Sequence, residues 1–196
     1  MYFPSQASRR EKEEQRLAEE KERVEAYKNM TAEQKEELRK EIFSYSVIDY
    51  MLERGYKPYV YNGCYGGPGI SDEALHLLSM FHEGDNYDVV IECRIINYLG
   101  ERANCRGSRP VFSFIKNELY DFVDVREYDG LESLKINIDR FKLKRTEQIL
   151  DSDKSAEEKL EDIRNLYKEK YTGMMVKYND AFKQFNESRY IKVMYK

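Results

Sequence analysis

Apolar residues along this chain follow a helical period at both ends and a strand-and-turn pattern in the middle. From Ala32 to Arg54, Leu38, Ile42, Tyr45, Ile48 and Leu52 recur at spacings of four, three, three and four, the repeat of one helical face. Thr31 with Gln34 has the spacing of a capping box and Gly55 is the natural residue beyond the C-cap, so one amphipathic helix is predicted over 32–54. Past residue 150, Ser155 with Glu158 is a second capping box. Leu160, Ile163, Tyr167, Tyr171, Met174, Tyr178, Phe182 and Phe185 then keep a three-four repeat, interrupted only by Thr172-Gly173. That repeat predicts a helix over 156–186 with a coiled-coil-like seam and calls for a partner helix, from this chain, a second copy or another protein. Residues 7–29 are almost entirely Glu, Lys, Arg, Gln and Ala. Helix propensity is high there, and Leu17, Val24 and Tyr27 are the apolar markers through which such a helix docks, if it is not solvated or ordered by a partner.

The middle reads differently. Strand formers at 58–62 lead into Asn62-Gly63-Cys64-Tyr65-Gly66-Gly67-Pro68-Gly69, and Ser71 caps a helix over 72–82 that carries Asp72 and Glu73 in its first turn and presents Leu75, Leu78 and Phe81. Val89 to Glu101 satisfies both the strand and the helix period. Asp88 as N-cap and Gly100 near the end favour a helix. Strands follow at 111–115, 122–128 and 133–138, the last two joined across Asp129-Gly130, a two-residue hairpin signal. A further helix is expected from Phe141 to Leu150. The prediction is an α+β fold, with a small sheet packed with helices and long helices at both ends. Its expected divisions are a helical segment 1–55, an α+β core 56–141 and a helical segment 142–196.

Charge changes the picture in one respect. Charged residues are 36% of the chain and lie mostly at its ends, yet the net charge is only -4. Nucleic acid held by bulk electrostatics is therefore not expected, and Arg140 to Arg145 is the one local basic run. Cys64, Cys93 and Cys105 form an odd set without a CxxC pair, and no apolar run nears the roughly 20 residues of a bilayer span. A soluble protein in a reducing compartment is expected, with no metal and no cofactor.

Four glycines within residues 63–69 single out the loop before Ser71. A strand, a glycine loop and a helix N-terminus together make an anion site, so Asn62, Gly63, Tyr65, Gly66, Gly67, Gly69 and Ser71 are candidate ligand-binding residues. Neither the P-loop nor the dinucleotide spacing is present, and Asp72 and Glu73 would repel a phosphate. Cys64 is a candidate nucleophile only if His76 or His82 reaches it. Around the hairpin turn, Glu127, Asp129 and Glu132 suit a divalent cation or acid–base chemistry, against the simpler role of Asp129 in shaping the turn.

Two of these stretches, Tyr65-Gly66-Gly67-Pro68-Gly69-Ile70-Ser71 and Glu127-Tyr128-Asp129-Gly130-Leu131-Glu132, resemble a group of small uncharacterised proteins encoded by bacteriophages and large DNA viruses. In that group a strand leads into YGGFGLS and a helix, and the chain closes with a segment like EYDGLE. The resemblance spans about 57–141 and includes Arg94 to Ala103 (RIINYLGERA), similar to the group's middle helix. Pro68 stands where the group has Phe, and Ile138-Asp139 stands where many members have a His-Arg step. The resemblance implies a small α+β domain of viral origin, in the cytoplasm of an infected cell or in a virion, and brings no known activity. Two function classes follow as expectations. One is a non-catalytic binding or assembly module using helices 32–54 and 156–186 for protein contacts or homo-oligomerisation. The other is a protein or enzyme that takes a nucleotide or other phosphorylated small molecule at the glycine loop.

Overall fold

The computed structural model describes residues 6–64, 69–82, 88–105, 108–128 and 131–194. In chain order the elements are α1 (Gln6–Lys28), α2 (Ala32–Ile42), α3 (Val47–Leu52), β1 (Tyr56–Asn62), α4 (Asp72–Phe81), α5 (Val89–Leu99), β2 (Pro110–Lys116), β3 (Val123–Tyr128), β4 (Leu131–Ile136), α6 (Ile138–Leu150), α7 (Ala156–Lys168), β5 (Met175–Lys177) and α8 (Tyr178–Met194). Short 3-10 turns at Gly100–Ala103 and Asn117–Phe122 flank β2. The fold is α+β, with a small antiparallel sheet against helices from both ends of the chain. No described helix is long and apolar enough to cross a membrane.

The four expected strands divide between two sheets. β1 and β2 pair antiparallel with Tyr59 opposite Ser113, and β3 and β4 form the separate hairpin with Tyr128 opposite Leu131. Asp129 and Gly130 themselves lie outside the described residues. Because side chains alternate along a strand, the larger sheet has two distinct faces. Val60, Phe112, Phe114 and Val176 point into the main core with α3, α4, α5 and α8. Tyr59, Ile115 and Met175 point into a smaller cluster around Phe122 and Phe141, which the β3–β4 hairpin covers with Val123, Leu134 and Ile136.

Two predicted helices are corrected. The segment 32–54 is two helices, because Ser46 accepts the Ile48 N–H while Asp49 returns to the Ser46 N–H at 2.9 Å, starting α3 afresh. Asp49 is also paired with Arg94 of α5, which holds the break in place. The segment 156–186 is not continuous either. α7 ends at Lys168, Gly173 takes φ +64, a left-handed backbone that suits glycine, and β5 joins the edge of β2 with Val176 opposite Phe114. The three-four repeat thus serves two cores: Tyr171 and Met174 feed the smaller cluster, Tyr178 and Phe185 the main one. On α4 the buried face is Glu73, Ala74, Leu77 and Phe81, while Leu75 is 52% exposed, so the expected apolar face is rotated.

That rotation follows from Glu73, which has no exposed surface. Its carboxylate accepts from Arg23 Nε at 2.8 Å, Tyr27 Oη at 2.8 Å and Arg102 Nη1 at 2.9 Å. The Glu73 N–H in turn donates to Glu20 Oε1 at 3.2 Å, and Arg16 binds Glu20 and the Asn104 carbonyl. So α1 docks through Arg16, Glu20, Arg23 and Tyr27. Leu17, expected as an anchor, is 40% exposed. Burial and the Glu73 carboxylate push the Tyr27 hydroxyl pKa far up, keeping it a donor.

Glu92 is also buried, but its Oε2 has no partner, and burial pushes its carboxyl up to about 7. Breaking the Glu73 cluster with Glu73→Ala strands two arginines and should cost about 3–5 kcal/mol in urea unfolding, whereas Leu17→Ala should cost less than about 0.5 kcal/mol. For Glu92 the folded-state pKa lies above the ordinary 4.5, so its contribution is complete below pH 4.5 and is lost as pH rises through about 7. Comparing urea midpoints of Glu92→Gln and the native chain from pH 4 to 8 should show the native chain losing this increment and the variant lacking that loss.

Candidate functional site

The end of β1 is organised by the buried Asn62. Its Oδ1 accepts the Arg109 N–H at 3.0 Å and the Cys64 N–H at 3.3 Å, tying the chain entering the glycine loop to the segment that begins β2. Its own N–H lies on the outer edge of β1 and donates to Glu132 Oε2 at 2.6 Å. Glu132 stands opposite Glu127 in the hairpin, so two like charges share one face, and turning Glu132 toward a backbone donor relieves that repulsion. The glycine-loop strand and the acidic hairpin therefore meet at a charge-assisted hydrogen bond.

Beside this contact lies a cleft of about 800 Å³, within the size range of small-molecule sites. Tyr61, Val111, Ser113 and Lys177 form its sheet wall, because the registers Tyr61–Val111 and Ser113–Lys177 put these side chains on one face. The Tyr61 and Ser113 hydroxyls are hydrogen-bonded at 3.2 Å. Leu131, Glu132 and Leu134 of the hairpin form the facing wall, and Asn97, Glu101 and Tyr178 line the far end, where Tyr178 Oη donates to Asn97 Oδ1 at 2.6 Å. Arg109 reaches the Gly63 carbonyl at 2.8 Å at the mouth. The lining thus mixes apolar side chains with two acids and two bases.

Of the predicted site residues, Gly63 and Glu132 line this cleft and Asn62 braces it from behind. Ser71 is buried elsewhere. It caps α4 by accepting the Ala74 N–H and sends its own N–H to the Ala103 carbonyl. With the Glu73 N–H taken by Glu20 and the Ala74 N–H by Ser71, two of the free N–H groups at this helix N-terminus are met by the chain's own side chains. The Gly69 carbonyl accepts the Ser108 hydroxyl at 2.6 Å, and Glu127 is exposed on β3, away from the cleft lining. Tyr65, Gly66, Gly67 and Asp129 lie outside the described residues. His76 stacks on Tyr27 with ring centroids 6.3 Å apart, and the Cys64 thiol points to Asn62 Oδ1 at 3.6 Å. Among the described residues no cluster of three or more His, Cys, Asp or Glu is arranged to hold a metal.

Sequence reading missed Tyr61, Arg109, Ser113 and Lys177. Alternation along the strands marks Tyr61 and Ser113 as neighbours on a face only once the register is known, and Lys177 was hidden inside a helical repeat.

A second candidate surface is the α6–α7 hairpin. Of its 26 helical residues only Phe141 is buried. Leu143, Leu150, Leu160 and Tyr167 are 59%, 55%, 50% and 55% exposed. Lys142 Nζ lies 5.0 Å from the Tyr167 ring and Lys159 Nζ donates to the Leu150 carbonyl, which sets Leu143 level with Tyr167 and Leu150 level with Leu160. A polar groove on one flank is lined by Arg145, Gln148, Asn165 and Glu169. At 100° per residue the four apolar side chains fall on the opposite flank, so they form one face.

Gly63 tests the cleft's construction. A Cβ there would sit 2.9 Å from Val111 Cγ2 and 3.0 Å from Cγ1, against a stiff β-branched side chain on the cleft wall. Gly63→Ala should therefore destabilise by about 1–3 kcal/mol in urea unfolding. Gly69→Ala, which meets only the end of the Cys105 side chain at 3.1 Å, should cost clearly less.

No protein-family model matches the chain, and neither the curated proteins nor the solved structures contain a match to it.

Proposed function

We propose that the chain is a non-catalytic binding module of viral origin, with the cleft beside Glu132 as its ligand seat and the helical hairpin α6–α7 as its surface for protein contacts. The viral setting rests on the two motifs that carry the family resemblance. The observation that carries the ligand seat is the 2.6 Å bond from the Asn62 N–H to Glu132, which closes the glycine-loop strand and the acidic hairpin around one cleft. Its polar groups are arranged for recognition. Ser113 faces a tyrosine hydroxyl, a weak base, and the pair fits the task of orienting a bound molecule by hydrogen bonds.

A second reading, a nucleotide or other phosphorylated small molecule, draws support from Arg109 and Lys177 at the same cleft. With Glu20 and Ser71 bonded to N–H groups at the start of α4, this reading puts the phosphate at these two side chains and not at the helix end.

A thermal-shift panel of phosphorylated and uncharged amphipathic small molecules separates the two. A ligand present at about 100 times its Kd contributes about 2.7 kcal/mol, a rise of roughly 5–10 °C for a chain this size. Val111→Phe, which fills the cleft, should abolish the rise. If only phosphorylated compounds score, and Lys177→Glu abolishes their effect, the second reading holds. A broad panel without a single hit would remove the ligand seat.

A further inference from the structure

The α6–α7 hairpin carries a pattern that the exposed apolar face alone does not explain. Its base, residues 138–145 and 163–170, holds seven basic residues and two acidic ones, and its tip, residues 146–162, holds seven acidic and two basic. The two halves are near-equal and opposite in charge, along helices about 20 Å long by the helical rise. Part of the basic half is engaged within the chain: Arg140 pairs with Asp124, and Lys144 lies over the Phe122 ring. Arg164, which pairs with Glu161 on its own helix, and Lys168 are exposed on the side of the apolar face, while Arg145 lies in the polar groove.

We infer that the partner of this face is a second copy of the same hairpin, docked antiparallel about a two-fold axis. The inference rests on α6–α7 being a contact surface and is independent of the cleft. A parallel arrangement would set acidic tip on acidic tip and basic base on basic base. The antiparallel one sets each tip on the other copy's base, so a single rotation satisfies both ends and the interface closes on itself. It also stacks apolar on apolar: Leu143 and Tyr167 of one copy lie at the level of Leu150 and Leu160 of the other, giving a four-helix bundle. The seven-residue spacing within each pair, Leu143 to Leu150 and Leu160 to Tyr167, keeps the side chains in line over two turns, as such packing needs.

Size sets the expected strength. A face about 20 Å long across two helices about 10 Å apart gives a footprint of roughly 400 Å² per copy, at the weak end for specific interfaces, so a micromolar, salt-sensitive dimer is expected.

Sedimentation velocity of the full chain from about 1 to 200 μM decides the matter. The expected result is a monomer–dimer equilibrium that shifts toward monomer in high salt, and Leu143→Glu with Leu160→Glu should leave a monomer at every concentration with an unchanged circular dichroism spectrum. Should that variant lose its fold, the charge reversals Glu157→Lys and Glu161→Lys provide the same test on the tip. Gln148→Glu, in the polar groove, should dimerise like the native chain. Under oxidation, Thr146→Cys, near the midpoint of α6, should cross-link to itself far better than Leu143→Cys. A native chain that is monomeric throughout overturns the inference, as does a dimer indifferent to the face variants. A monomer that binds oligonucleotide through Arg140 to Arg145 also overturns it. None of these outcomes bears on the thermal-shift test of the cleft.

Discussion

Much of the structure hangs on one ionised side chain out of reach of water. An unpaired carboxylate in a protein interior would protonate or unfold the chain, so Glu73 is tolerable only because two guanidinium groups and a tyrosine hydroxyl converge on it. Those donors come from α1 and from the 3-10 turn after α5, and satisfying them fixes how three elements meet. The same requirement rotates α4, placing Leu77 and Phe81 in the core and Leu75 outside. It also occupies part of the N-terminus of α4, where the Glu73 and Ala74 N–H groups go to Glu20 and Ser71. Within the acidic first turn Glu73 is paired with the chain's own cations, and the exposed Asp72 adds negative charge that disfavours a phosphate there.

The three-stranded sheet divides the molecule into a dry side and a side with a cleft. One face is packed by helices. The other is covered only as far as the β3–β4 hairpin and the smaller cluster extend, and the uncovered end, from Tyr61 across Ser113 to Lys177, becomes the cleft. The bond from Asn62 to Glu132 acts as the clasp between sheet and hairpin. It occupies a donor on the outer edge of β1, and the Tyr120 hydroxyl occupies the Pro58 carbonyl on that same edge at 2.9 Å, so side chains cap a strand edge that would otherwise invite pairing. Burial and neighbouring groups push the Tyr120 hydroxyl up to about 12, which keeps it a donor for that carbonyl.

The α6–α7 hairpin is built on the opposite principle. It buries almost nothing of its own, so its order rests on helix propensity, on the capping box at Ser155 and on contacts at its base, where Phe141 meets Phe122 and Tyr171. Segments with few buried contacts lie at the low-stability end of a fold. Keeping four large apolar side chains exposed on such an element is costly in solubility, and their alignment on one flank is the observation behind the proposal of a contact surface there.

Local chemistry was legible from the chain alone. Caps at Thr31, Ser71 and Ser155, the glycine at 55, the helix from Val89 ended near Gly100 and the strands either side of Asp129-Gly130 follow from side-chain hydrogen bonding, backbone freedom and period, all of which act within a few residues. What pairs with what was decided elsewhere. The break at Ser46 and the strand at Met175 were hidden inside helical spacing, because a three-four repeat records which residues are apolar and not whether one core or two receives them. The same limit hid the site: Tyr61, Ser113 and Lys177 become neighbours only through strand register, and Glu132 reaches Asn62 across 70 residues. A charged residue such as Glu73 looks solvated in sequence, and only the tertiary structure could supply the donors that let it be buried.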